Sequence, residues 1–374
     1  MSIVLFMTEN ERKNKRIAES YARTKQKRGT QMPITLELKV NYGKCNKAQK
    51  TFLKMSHVEC KWAKNWLINK MEDVNFDIFK FEGKELYFIT HKTKEGKDET
   101  VKLSYIRSSV KDSVVEDIRN SIRSLSAKKK KGLGGTGKLK FVSDYPSIEL
   151  KQYGLTHHIE GKNRIKVQGC KKPLPVNGLK QLRKFDALGI EYDLTTAKLN
   201  HKDDDYYIYL TVYVDKEQYK QFENSKKNIT VEKLGLDFGC ENTLTSSEGW
   251  KENVLIEESE RLKRLQRKRN KMQKGSNNRY RLGKLIRKEY YKLTCKKNEA
   301  ANQLCAKIKK QSGEIVIQDE QISSWKHKHG KKIQHSILGR IKQNLMRSDN
   351  VHVLNKWIPT TKLCTHCGRR HEDL

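Results

Sequence analysis

Residues 231–239 read VEKLGLDFG. Side chains alternate across a β-strand, so Leu234, Leu236 and Phe238 share one face while Gly235 and Asp237 share the other. An aspartate among apolar residues is costly to leave without a partner or a role. A cap, or an ion pair with a neighbouring lysine, is the plain reading. Ligation of a hard cation such as Mg²⁺ is the chemical one, because such ions take carboxylate oxygens held on rigid elements, and phosphodiester cleavage commonly uses two of them.

Reading outward toward the C-terminus, ENTLTSSEGW signals a polar hairpin, and two long basic helices follow, broken by KGSNNR. Leu262, Leu265 and Met272 mark the inner face of the first helix; Leu282, Ile286, Leu293, Ala300, Leu304 and Ile308 mark that of the second. EIVIQDE, 314–320, predicts another buried strand. Val316, Gln318 and Glu320 share one of its faces; Ile315, Ile317 and Asp319 share the other. Glu320 is expected to reach the end of the sheet beside Asp237, with Asp319 as the weaker choice. A helix over about 333–347 and the strand VHVLNKW complete an α/β sheet with an acid at the end of two strands.

Upstream, residues 1–31 are polar and basic and read as a flexible arm. ITLELKV, 34–40, alternates as a strand. Phe52, Met55, Val58, Trp62 and Trp66 recur at helical spacing, as do Ile106, Val110, Val114, Ile118, Ile122 and Leu125. The run Lys128 to Lys131 leads into GLGGTGK, where Leu139 stands in place of the Ser or Thr that a phosphate loop needs; the segment reads as a basic linker. From 139 to 215 consecutive hairpins follow. DDDYYIYLTVYV offers Tyr206, Tyr207 and Tyr209 either to bases or to a core. With strand 34–40 these hairpins predict a β-barrel interrupted by a helical insertion.

Composition narrows the function. Across 374 residues, Lys+Arg is 79 against Asp+Glu 44, a net charge of +35. Spread along a folded chain, that excess calls for a polyanion, and a large structured RNA suits its size. No apolar run approaches a bilayer-spanning length. The scattered cysteines, with no secretion signal, read as reduced thiols in a cytosol. Cys364 and Cys367 form a Cys-x-x-Cys knuckle. His371 is a possible third ligand and His366 lies nearby, where structural Zn²⁺ wants four.

LGLDFGCENTLT, the basic pair around KGSNNRYRLGKL, IVIQDEQISSW and WIPTTKLCTHCG, in that order, resemble the TnpB proteins of bacterial insertion sequences and the related miniature type V CRISPR effectors. The resemblance is strongest over 231–374. It implies a guide RNA, unwinding of target DNA beside a short duplex motif, and an RNase H-like RuvC domain that cuts with three carboxylates and Mg²⁺. The first carboxylate falls on Asp237. The family's Glu-Asp-Leu pattern puts Gln318 where the second belongs, leaving Glu320 as its preferred equivalent and Asp319 behind it. The third follows a second Cys-x-x-Cys in the family, beyond Leu374 here; Asp349 and Asp373 do not occupy its place.

The expected architecture is therefore α+β and multidomain. A basic arm (1–31) precedes the first strand of a wedge β-barrel (32–43), a helical recognition insertion (44–135) and the rest of the barrel (136–228). A RuvC-like domain follows (229–374), carrying a basic helical hairpin (258–311) and a truncated zinc-ribbon end (364–374). Arg264, Arg267, Lys268, Arg279 and Arg287 are candidate contacts to RNA or heteroduplex. The expected function is guided binding of duplex DNA without efficient cutting, as in nuclease-dead relatives that repress transcription by occupancy. An active Mg²⁺-dependent endonuclease and a general RNA-binding protein are the alternatives.

Overall fold

The computed structural model describes residues 9–358, apart from 94, 133–136 and 203–204, together with Arg369. The chain divides into two compact units, Met1–Phe222 and Glu223–Leu374. No described helix is long and apolar enough to cross a membrane.

The first unit begins with a helix, α1 (Glu9–Gly29), where the sequence predicts a flexible arm. Lys, Arg, Glu, Gln and Ala are good helix formers, and no Pro or Gly interrupts them before Gly29. After β1 (Gln31–Val40) the insertion contributes α2 (Lys47–Lys70), the hairpin β2 (Phe88–Lys92) and β3 (Asp98–Lys102), and α3 (Ser108–Lys130). Short strands β4 (Ser147–Leu150), β5 (His157–Ile159), β6 (Arg164–Val167) and β7 (Leu174–Asn177) follow. Then come α4 (Lys180–Ala187), the long strands β8 (Tyr192–Lys202) and β9 (Asp205–Asp215), and α5 (Lys216–Ser225).

The seven strands outside the β2/β3 hairpin form one antiparallel sheet in the order β4-β8-β9-β1-β7-β6-β5. Its two edge strands are consecutive in sequence. Six spacings of about 4.8 Å put the edges of a flat sheet about 29 Å apart, whereas seven chain steps reach at most about 25 Å. The sheet must therefore curl. Tyr153 sits in the joining segment and links β8, the neighbour of one edge strand, to β5, the other edge. Its N–H donates to Thr195 O of β8 at 2.8 Å, at a break in register between Leu194 and Ala197, and it bridges to His157 of β5. The result is the nearly closed barrel the sequence predicts.

The barrel and the insertion share one core. Leu36, Leu38 and Val40 of β1 and Ile208, Leu210, Val212 and Val214 of β9 line it. Tyr206 and Tyr207 are also buried, and Tyr206 stacks on Tyr42 with ring centres 5.7 Å apart, so neither presents a free ring face to a base. On α2 the buried stripe is Leu53, Cys60, Ala63 and Leu67. The tryptophan stripe read from the sequence lies beside it: Trp62 is half-buried and stacks on His91 at 4.3 Å. Tryptophan is large enough to reach the core edge from the flank.

Glu59 is buried on α2 and accepts three backbone N–H groups, from Ser104, Tyr105 and Ile106, at 2.8–3.0 Å. Burial raises its pKa and these bonds oppose the rise. They fix the approach to α3. A charged acceptor bonds more strongly than an amide oxygen, and an amide nitrogen would oppose one of the three donors. Glu59→Gln is expected to lose about 2 kcal/mol in chemical denaturation.

The second unit is a mixed five-stranded sheet in the order β12-β11-β10-β13-β14. Its elements are β10 (Val231–Phe238), β11 (Leu244–Ser246), β12 (Lys251–Glu252), α6 (Glu260–Asn270), α7 (Asn277–Gln311), β13 (Ser312–Gln318), α8 (Lys326–His335), α9 (Leu338–Leu345) and β14 (Val351–Leu354). β10, β13 and β14 run parallel, and β11 and β12 add an antiparallel meander. Ala301, Leu304, Cys305 and Ile308 of α7 pack with Ile315 and Ile317 of β13 and Ile341 and Leu345 of α9. Two lysines of α7 cap neighbouring helices: Lys297 Nζ donates to Gln334 O at 2.5 Å, and Lys309 Nζ to Asn344 O at 2.8 Å. Cations are favoured at helix C-termini.

Two expectations are corrected here. The helix expected over 333–347 is two helices, α8 and α9. Ser336 adopts extended backbone at the end of α8 and bridges to Leu255, while Ile256 N–H takes His335 O at 3.1 Å. The strand expected over 314–320 ends at Gln318, because Glu320 N–H turns back onto Gln318 O at 2.9 Å.

Candidate cleavage centre and nucleic-acid interface

Asp237 stands one residue from the C-terminal end of β10. Leu236 and Phe238 are buried on one face and Asp237 is exposed on the other, as alternation requires. Gly239 follows where a Cβ would lie 2.7 Å from Asn242 O, so the turn beyond the aspartate admits only glycine without shifting. By accessible area Asp237 is exposed, yet protein crowds one side of its carboxyl. That burial raises its pKa, with the Phe238 N–H acting in the opposite sense. Among the described residues it has no ion-pair partner.

The neighbouring strand decides what faces it. Leu236 pairs with Ile317 in parallel register. One step further sets Asp237 beside Gln318, on the same face of the sheet. Gln318 Nε2 donates to Ile358 O at 2.8 Å and lies 3.3 Å from Lys356 O. An amide can make those donations and a carboxylate cannot. Gln318 therefore ties down the turn after β14 and sets an amide, not a carboxylate, beside Asp237.

Asp319 and Glu320 lie past the strand. Lys342 Nζ, from α9, donates to Asp319 Oδ1 at 2.5 Å and to Glu320 O at 2.8 Å. The hydrogen bond from Lys342 holds the Asp319 carboxyl below its usual pKa. Glu320 is half-buried, in a turn, and the strand pairing does not carry it to Asp237. Lys342 is the residue the sequence reading missed. Its signal is its place on α9, one turn from the buried Leu338. Among the described residues no three His, Cys, Asp or Glu side chains gather as metal ligands. One carboxylate beside an amide does not fit a two-Mg²⁺ centre. Cys364, Cys367 and His371, the candidate zinc ligands, lie outside the described residues.

An aspartate closing the first strand, a helical hairpin crossing over, and a parallel partner strand form one continuous piece of chain. Residues 211–327 match the OrfB_IS605 family, described as "Probable transposase". The comparison with curated proteins found no match. The OrfB_IS605 segment runs from within β9 to the start of α8, so it contains Asp237, Gln318, Asp319, Glu320 and all five basic candidates.

Within the OrfB_IS605 segment, Arg264, Arg267 and Lys268 are exposed on α6 and Arg287 is exposed on α7. Arg279 differs. It is half-buried, and its guanidinium donates to Met272 O at 2.7 Å and Arg269 O at 3.1 Å, capping the end of α6. The hairpin is tied elsewhere by Gln266 to the Tyr290 hydroxyl at 2.6 Å and by Arg261 to Glu289 at 3.4 Å. Trp325, at the start of α8, packs against the core of the second unit. Two substitutions separate the roles. Arg279→Ala is expected to cost about 1–2 kcal/mol of stability, because it strands carbonyls at a helix end. Arg267→Ala is expected to leave thermal melting within about 1 °C and to lower the salt slope of nucleic-acid binding by about 1.

Proposed function

We propose that this chain is a TnpB-like, RNA-guided DNA-binding protein with an impaired cleavage centre. It holds a guide RNA, pairs it with a matching DNA target beside a short duplex motif, and represses transcription by occupancy. One observation carries the loss of cutting: Gln318, an amide, stands in register beside Asp237. A two-metal site clamps the scissile phosphate with both ions, and both need acidic ligands. Asp319 is turned to Lys342 and supplies no substitute. The OrfB_IS605 match and the net charge of +35 support the nucleic-acid role. Binding asks nothing of the missing carboxylate, since the guide reads sequence by pairing and the protein contributes charge and shape.

The RNA that purifies with the protein tests this reading. Sequencing it is expected to give one discrete species with a constant scaffold and a short variable 3′ stretch. A random sample of cellular RNA, or protein free of RNA, would contradict a guide.

A further inference from the structure

The β2/β3 hairpin of the insertion turns an apolar ring outward. Ile89 of β2 is buried in the core of the first unit, and its partner Val101 of β3 packs against that core. Alternation sends Phe88 and Lys102 to the opposite face, where they pair across the hairpin. Phe88 is 55 % exposed, and Tyr87, just before the strand, is 48 % exposed. A single exposed aromatic residue needs no explanation. Two adjacent ones among cations call for one. Their rings meet edge to face with centres 5.1 Å apart.

The cations gather on Tyr87. Lys102 Nζ lies 4.7 Å and Lys111 Nζ 5.4 Å from the centre of its ring. Lys111 comes from the start of α3, and Arg107 stands at the N-cap of the same helix. Cations oppose the dipole at a helix N-terminus, and the first turn of α3 carries no acid to offset them. A hydrogen bond from Lys102 lowers the Tyr87 pKa, and the charges of Lys102 and Lys111 add to it. Burial lowers the Lys111 pKa; Glu59 and Tyr87 oppose this, while Arg107 and Lys102 reinforce it. Glu59 itself is committed to three backbone N–H groups. None of Lys102, Arg107 and Lys111 has an ion-pair partner among the described residues.

We infer that this face binds single-stranded RNA, with a base stacked on Phe88 and the neighbouring phosphates held by Lys102, Arg107 and Lys111. The Tyr87 ring is engaged by two ammonium groups and sets them in place, so Phe88 supplies the open ring. An acidic peptide would satisfy the cations and leave that ring unused. A base inside a duplex is stacked on both faces, whereas an unpaired one can lie on an aromatic ring. Thr90 and Thr100 favour RNA over DNA. They are the next outward pair along the hairpin, with hydroxyl oxygens 3.1 Å apart, and a ribose 2′-OH is a group they can bond. This rests on the RNA-binding part of the reading above and adds a contact outside the OrfB_IS605 segment.

The test uses the full chain and three fluorescein-labelled probes: a uridine dodecamer, the same RNA with abasic sites in place of its central bases, and a thymidine DNA dodecamer. Phe88→Ala is expected to weaken binding of the uridine dodecamer about ten-fold, with its salt slope and the affinity for the abasic probe unchanged. Phe88→Trp should restore binding. Lys102→Gln combined with Arg107→Gln should lower the salt slope by about 1.4. Phe88, Lys102 and Arg107 are exposed, and an unchanged melting temperature verifies each fold. Ultraviolet irradiation with the uridine dodecamer should cross-link the tryptic peptide of residues 85–92. Equal affinity of wild type and Phe88→Ala for the uridine dodecamer overturns the inference alone. So does an equal loss on the abasic probe, or cross-linking confined to other peptides. A loss on the thymidine dodecamer alone overturns the choice of RNA. Wild-type protein that binds neither RNA probe and purifies without RNA overturns the guide reading, and this inference with it.

Discussion

Gln318→Glu is expected to convert a protein whose melting temperature ignores Mn²⁺ into one that melts about 5 °C higher, or more, at saturating ion. The substitution sets a second carboxylate beside Asp237 on the same sheet face. Without a cation the two charges repel, and Asp237, whose pKa burial already raises, is pushed further in that direction. The donations to Ile358 O and Lys356 O are lost as well. The metal-free variant should therefore melt below wild type at neutral pH. A divalent ion reverses the repulsion. Ligand at 100 times its dissociation constant adds about 2.7 kcal/mol, which is several degrees for a unit of this size. A matching Mn²⁺ shift in wild type would show that Asp237 already has an acidic partner, with Glu320 the first to test by alanine substitution.

The second large effect is acid lability of the first unit. His57 and His157 are buried, 4 % and 1 % exposed, and burial lowers the pKa of each to about 4. His57 Nδ1 donates to Tyr145 O at 2.7 Å, while its Nε2 and that of His157 lie buried without a partner among the described residues. A protonated ring would leave a charge there that nothing receives. The folded state therefore keeps both rings neutral down to about pH 4, whereas the unfolded chain takes up protons near pH 6.5. Stability is full above about pH 6.5 and falls as pH drops toward 4. At 1.36 kcal/mol per pH unit for each ring, that amounts to about 3 kcal/mol apiece. Together they approach the whole stability of an ordinary domain. Thermal melts from pH 7.5 to 4.5 should show the loss. His57→Phe should melt lower at pH 7.5, because Tyr145 O loses its donor, yet fall less on acidification. A wild-type melting temperature that is flat between pH 6.5 and 4.5 would contradict this account.

Much of the fold was legible in the alternation of β1, β9, β10 and β13, because a strand with one buried face declares its period. The barrel and its interruption by α2 and α3 followed from that. The end of β13 was not legible. IVIQDE keeps a strand-like pattern through Glu320, and only the turn back at Gln318 and the pull of Lys342 stop it. The first is too local to leave a pattern, and the second joins residues more than twenty positions apart. Helix α1 was missed for a different reason: its only large apolar residues, Ile17 and Tyr21, are too few to declare a helical period. Asp237 was identifiable from its apolar neighbours alone. That Gln318 stands beside it required the register of two strands separated by 73 residues of chain.

The most direct measurement incubates the RNA-loaded protein with Mg²⁺ and two end-labelled duplexes, one matching the guide and one mismatched. The account predicts a stable complex on the matched duplex only, with both strands full length when recovered. The loss of one clamp in a two-metal site is several kcal/mol, or roughly 10³-fold in rate. Rapid cutting of the matched duplex, or equal retention of the mismatched one, would contradict it.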